Sequence, residues 1–136
     1  MKRKILIFLT FLLLIISLIP YSTESIPEWT VKIVDYNGQP VSNIEVTQNW
    51  SSTSSESKSS ETKISDNNGF VTFPPRKFFA PFLSRIFINF IEHINSIVMF
   101  HGSQIGGHST IDSTKSTYIL IYDEGDKVMP NELKIR

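Results

Sequence analysis

Hydrophobic and polar residues follow three rhythms along this chain, and each predicts a different element. Ile5 to Ile19 is apolar apart from Thr10 and Ser17, a block of about 15 residues behind the basic Lys2, Arg3 and Lys4. That is the pattern of a secretory leader, shorter than the roughly 20 residues of a stable membrane helix. Small residues after Pro20 allow cleavage after Ser25, so residues 1–25 are expected to be a signal peptide and residues 26–136 a single domain. The alternative is an uncleaved anchor formed by residues 5–19.

The second rhythm has a period of two. Trp29, Val31 and Ile33 alternate with Thr30 and Lys32, which predicts a half-buried strand, and Ile44, Val46 and Gln48 predict the next. Asn37-Gly38 between them tolerates positive φ, and Pro40 fixes the exit from the turn. Thr62 to Asp66 resumes a strand that turns at Asn67-Asn68-Gly69 into a strand over Phe70–Phe73, which Pro74-Pro75 ends. Residues 51–60 are almost wholly Ser, Thr, Glu and Lys, with nothing apolar to offset ordering entropy, and read as a surface loop or a frayed hairpin. Tyr118–Tyr122 is nearly continuous in hydrophobicity, which suggests a central strand, and the tail from Lys127 is expected along an edge.

The third rhythm is helical. Phe82, Leu83, Ile86, Phe87, Phe90, Ile91 and Ile94 follow an i, i+3, i+4 stripe, with Ser84, Arg85, Asn89, Glu92 and His93 opposite. This predicts an amphipathic helix near residues 80–94, inserted between strands. Its stripe would either cover an open part of the core or meet a membrane or partner. A further strand is expected to begin at Ile97.

The two turns and their flanking strands resemble the carboxypeptidase regulatory-like domain of the transthyretin-like (prealbumin-like) superfamily. The resemblance rests on Asp35, Gly38, Pro40, Val41, Val46, Ser65, Asp66, Gly69, Phe70 and Phe73, and covers roughly residues 29–75. It implies a mostly β fold, a transthyretin-like β-sandwich of about seven strands, here with one helical insertion. It also implies a structural or adhesive role in which these residues shape turns and core and do not catalyse. The superfamily includes a small hydrolase ending in Tyr-Arg-Gly-Ser, whereas this chain ends Leu133-Lys134-Ile135-Arg136.

Charge and composition narrow the choice of function. Residues 26–136 carry ten basic and twelve acidic side chains, a net of −2, without the clustered Lys and Arg that nucleic-acid phosphates require. Cysteine is absent, which removes thiol nucleophiles, thiolate metal sites and disulfides. Asp66, Asn67 and Asn68 offer oxygen ligands but lack the spaced carboxylates and closing Glu of a calcium loop. Asn49-Trp50-Ser51 fits the glycosylation acceptor pattern. His93, His101 and His108 are the remaining candidates for chemistry, since three imidazoles with an open fourth position describe a catalytic zinc site.

These observations favour an exported, non-enzymatic module for binding or envelope support, secreted, periplasmic or held in the cell envelope. No cofactor is expected, the partner would be a protein or envelope component, and Arg85, His101 and His108 are the candidate binding residues. A small-ligand carrier of transthyretin type is one alternative. A metal-dependent hydrolase using His93, His101 and His108 is the other.

Overall fold

The computed structural model describes residues 2–53, 58–99 and 106–136. Among them two helices and nine strands succeed one another as α1 (Lys2–Leu18), β1 (Pro20–Ile26), β2 (Trp29–Val34), β3 (Glu45–Ser52), β4 (Lys58–Ile64), β5 (Phe70–Phe73), β6 (Arg76–Pro81), α2 (Phe82–Met99), β7 (Gly107–Asp112), β8 (Leu120–Asp123) and β9 (Glu132–Lys134). The chain is mostly β. The strands form three sheets, a β1–β6 ribbon, a three-stranded β5–β2–β9 sheet and a four-stranded β4–β3–β7–β8 sheet.

One hydrophobic cluster joins all three sheets. Ile26 from β1, Trp29, Val31 and Ile33 from β2, Val46 from β3, Phe73 from β5, Ile111 from β7 and Leu133 from β9 are completely or almost completely buried there. Each large side chain of this kind contributes about 1.5–3 kcal/mol by leaving water. Trp29 also donates from Nε1 to the Pro130 carbonyl at 2.7 Å and meets Tyr122 edge-on, with ring centroids 6.1 Å apart. The indole thus has a polar partner inside an apolar site, as a buried Trp needs.

The two turns of the resemblance are built alike. In the first, Asp35 Oδ1 accepts from the Asn37 and Gln39 amides, at 2.8 and 2.9 Å, and Gly38 has φ of 80°. In the second, Asp66 Oδ1 accepts from the Asn68 and Phe70 amides, at 2.9 and 2.8 Å, and Gly69 has φ of 78°. Both carboxylates are therefore engaged by turn amides, the local role expected of Asp in such loops. The turns differ in their surroundings. A Cβ on Gly38 would meet open space, whereas one on Gly69 would lie 2.7 Å from the Ile33 carbonyl oxygen.

Two strand expectations depart from the structure, and one open alternative each is settled for the polar segment before Ile64 and for the helix. Tyr118–Tyr122 is not a central strand: β8 begins at Leu120 and lies at the edge of its sheet, burying Leu120 and Tyr122 while Ile121 points outward. A run of apolar residues concealed a strand with only one buried face. Of the loop and the hairpin that the polar segment allows, the hairpin forms: Lys58–Ile64 pairs with β3 along its whole length as β4, so backbone hydrogen bonds hold the segment although its residues are polar. Ile97 continues α2, which runs to Met99, and does not start a strand. The helical insertion is present, but its stripe is exposed at Phe82, Ile86, Phe87, Phe90 and Ile94.

Two variants separate turn strain from crowding. Gly38→Ala should lower unfolding free energy by about 1–2 kcal/mol, the cost of a left-handed residue. Gly69→Ala should cost more, roughly 2–4 kcal/mol, because the chain must also move from Ile33. Urea denaturation of both proteins measures the difference. In the core, Gln48 is completely buried and neither its Oε1 nor its Nε2 has a partner among the described residues. Gln48→Leu should therefore stabilise the fold by about 1–3 kcal/mol in the same assay.

Candidate functional site

The alternation of β3 sets up a largely polar surface. Val46, Gln48 and Ser52 are buried, so Glu45, Thr47, Asn49 and Ser51 point outward. Cross-strand register then places outward residues of the neighbouring strands beside them. Ser51 pairs with Lys58 on one side and His108 on the other, and His108 pairs in turn with Asp123. Asn49 similarly lies between Ser60 and Thr110. The result is a shallow cleft of about 440 Å³ lined by Asn49, Ser51, Lys58, Ser60, His108 and Thr110, with Trp50 and Ser59 contributing.

Within this surface His108 Nδ1 lies 2.5 Å from Asp123 Oδ1. The carboxylate fixes the ring and leaves Nε2 as the imidazole atom available to a partner. Trp50 is stiffened from its other surroundings. The Arg76 guanidinium stacks 3.9 Å from its ring centroid and is itself ion-paired with Glu61. Such a cation–π stack contributes about 0.5–1 kcal/mol when partly exposed. These side chains can hydrogen-bond a polar surface through hydroxyl, amide, ammonium and imidazole groups. A nucleophile–base–acid relay needs a hydroxyl hydrogen-bonded to the imidazole, and among the described residues His108 shows a bond to Asp123 alone.

The candidate binding residues occupy different places. His108 lies in the cleft. Arg85 is 7% exposed at the base of α2, donating from Nη2 to the Tyr21 carbonyl at 2.9 Å and from Nε to the Ala80 carbonyl at 3.3 Å. It fastens α2 to β1 and β6. His93 is exposed on α2, and His101 lies outside the described residues. Among the described residues no three His, Asp or Glu side chains come close enough to hold a metal ion.

Sequence reasoning did not single out Asp123, Lys58 and Ser60, and it marked Asn49 and Ser51 only as part of a glycosylation acceptor pattern. Asp123 reads as one of several acids in a turn, and nothing local marks it as the neighbour of His108. The alternation of Glu45, Thr47, Asn49 and Ser51 was available as a signal, since one polar face on a strand implies a platform.

A second carboxylate joins sheets. Glu124 Oε1 accepts from the Ser25 amide at 3.2 Å and Oε2 from the Gly107 amide at 2.9 Å, tying β1 to the start of β7. Beside it, burial first, and then the Glu124 and Asp126 charges, hold the Tyr122 phenol above its ordinary value. Below pH about 10 both folded and unfolded chains keep this proton. At higher pH the unfolded chain loses it first, so stability falls as pH rises. Tyr122→Phe should remove that loss: its urea midpoint should decline less than the wild type's between pH about 9 and 11.

Comparison with known proteins finds no matching family model, no similar curated protein and no similar solved structure.

Proposed function

We propose that this chain is an exported, non-enzymatic β-sandwich module of transthyretin-like kind that binds a polar component of the cell envelope. The observation that carries the reading is the outward face of the four-stranded sheet. Ser51, Lys58, His108 and Asp123 form one row across all four strands, beside Ser60, Asn49, Thr110 and the apolar Ile121 in the next. The surface is shallow and rigid, with backbone ladders beneath every side chain. An open groove of this shape suits an extended hydroxyl-rich or amide-rich partner better than a small enclosed substrate. The leader-like start of the chain supports export. The twin Asp-x-Asn-Gly turns support the transthyretin-like reading.

Retention on insoluble envelope polysaccharide tests the proposal. The wild-type chain should bind, and Asn49→Arg combined with His108→Ala should weaken retention about tenfold, the loss of about 1.4 kcal/mol. Both changes lie on the outward face, so the circular dichroism spectrum should be unchanged. Equal retention of the two folded proteins would remove the platform as the binding surface. Failure of the wild type to bind would remove the envelope reading.

A further inference from the structure

The polarity of α2 is inverted with respect to the protein it is attached to. Two polar side chains of its first half turn inward, Arg85 buried against backbone carbonyls and Asn89 half-buried with its Oδ1 shielded, while His93 further along is exposed. Its apolar side chains turn out, with Phe82, Ile86, Phe87, Phe90, Ile94 and Ile97 all between 43% and 63% exposed except Phe87, at 65%. A helix on a water-facing sandwich has the opposite arrangement. Contiguous apolar surface of this extent marks an interaction site.

The other helix extends the same surface. Pro20 at the start of β1 pairs with Pro81 at the end of β6, so α1 and α2 spring from one end of the ribbon. Near this root Leu13, Leu14 and Ile16 of α1 face Phe82 and Leu83 of α2 across an apolar cleft of about 670 Å³. None of the side chains of α1 is buried.

We propose that α1 and α2 together form a lipid-inserting surface, and that the chain sits on anionic bilayers with α1 retained. Two observations select lipid over a protein partner. Three hydroxyls of the two helices bond to backbone within reach: Thr10 donates to the Leu6 carbonyl at 2.9 Å, Ser17 to Leu14 at 2.8 Å and Ser84 to Pro81 at 3.0 Å. Such closed hydrogen bonding is what a hydrocarbon medium demands, since it offers no partners of its own. Lys2, Arg3 and Lys4 form a basic cluster at the far end of α1, exposed and complementary to anionic headgroups, where each is worth about 1 kcal/mol.

The surface lies in the bilayer and does not cross it. With 17 residues, α1 is about 26 Å long, short of the roughly 30 Å hydrocarbon core. Among the described residues no helix is long and apolar enough to cross a membrane. Retention of α1 follows from its neighbour. Cleavage after Ser25 would cut inside β1, removing most of the partner of β6 and the Ser25–Glu124 bond. The attachment is independent of what the polar platform binds.

Flotation of the full chain with vesicles is the test. Wild type should float with phosphatidylcholine vesicles containing phosphatidylglycerol, and Lys2→Gln/Arg3→Gln/Lys4→Gln should reduce binding about tenfold or more. The indole introduced by Phe87→Trp should be quenched by lipids brominated in their acyl chains, beyond any quenching of wild type, whose Trp29 is buried and Trp50 half-buried. Three results would each overturn the proposal: wild type that stays with the aqueous fraction, a Phe87→Trp indole no more quenched than wild type, or a stable vesicle-free dimer that shields the same indole.

Discussion

The approach of Gly69 to Ile33 is the contact from which the rest of the β structure is registered. The Ile33 amide donates to the Gly69 carbonyl at 2.7 Å, and the Ile33 carbonyl accepts from the Val41 amide at 3.0 Å. One residue of β2 therefore holds the ends of both Asp-x-Asn-Gly turns. Glycine is required at 69 because a side chain there would collide with the Ile33 carbonyl. With the turns clamped, Ser65 completes the corner: its buried hydroxyl accepts from the Ile44 amide and donates to the Val41 carbonyl, both at 3.0 Å. The strands that leave this corner, β3 and β5, enter different sheets, so a single backbone junction orients two faces of the core.

How much of this was legible in the sequence depended on whether the signal was local. The turns were readable because Asp35, Gly38, Asp66 and Gly69 act through their own neighbours, as the Asx bonds show. Strands β2, β3 and β5 were readable from the alternation of Trp29, Val31 and Ile33, of Val46 and Gln48, and of Val71 and Phe73. The first half of β4 was legible only as one of two alternatives, because Ser59, Ser60 and Glu61 have little intrinsic strand preference and are held by their partner. The platform was illegible for a related reason. His108 and Asp123 become neighbours only through the register of β7 on β8, which is a tertiary fact. The helix was placed correctly between strands, but a hydrophobic stripe has no sign: periodicity cannot state whether the stripe meets the core or the outside.

Two surfaces of opposite character result. The outer face of the four-stranded sheet is polar apart from Ile64 and Ile121 and is backed by a continuous ladder, while the helices present hydrocarbon from the end of the β1–β6 ribbon. Arg85 and Glu124 are the joints. Arg85 binds carbonyls of β1 and β6 at the base of α2, and Glu124 carries β1 to the amide that opens β7. Through these two side chains the position of the helices and that of the platform are mechanically linked, with β1 common to both.

Strand β9 has a consequence in the order of synthesis. It lies parallel to β2, Ile33 beside Leu133, so the two strands that complete the three-stranded sheet are a hundred residues apart. The Trp29 indole is likewise satisfied, among the described residues, by the carbonyl of Pro130. A nascent chain that has emerged through β8 still has an open edge on β2 and an indole with its polar atom unmet. Closure of the core therefore waits for nearly the whole chain to be translated. By then the apolar α1 has long been outside the ribosome. The apolar helical end of the molecule is presented first, and the folded body forms behind it.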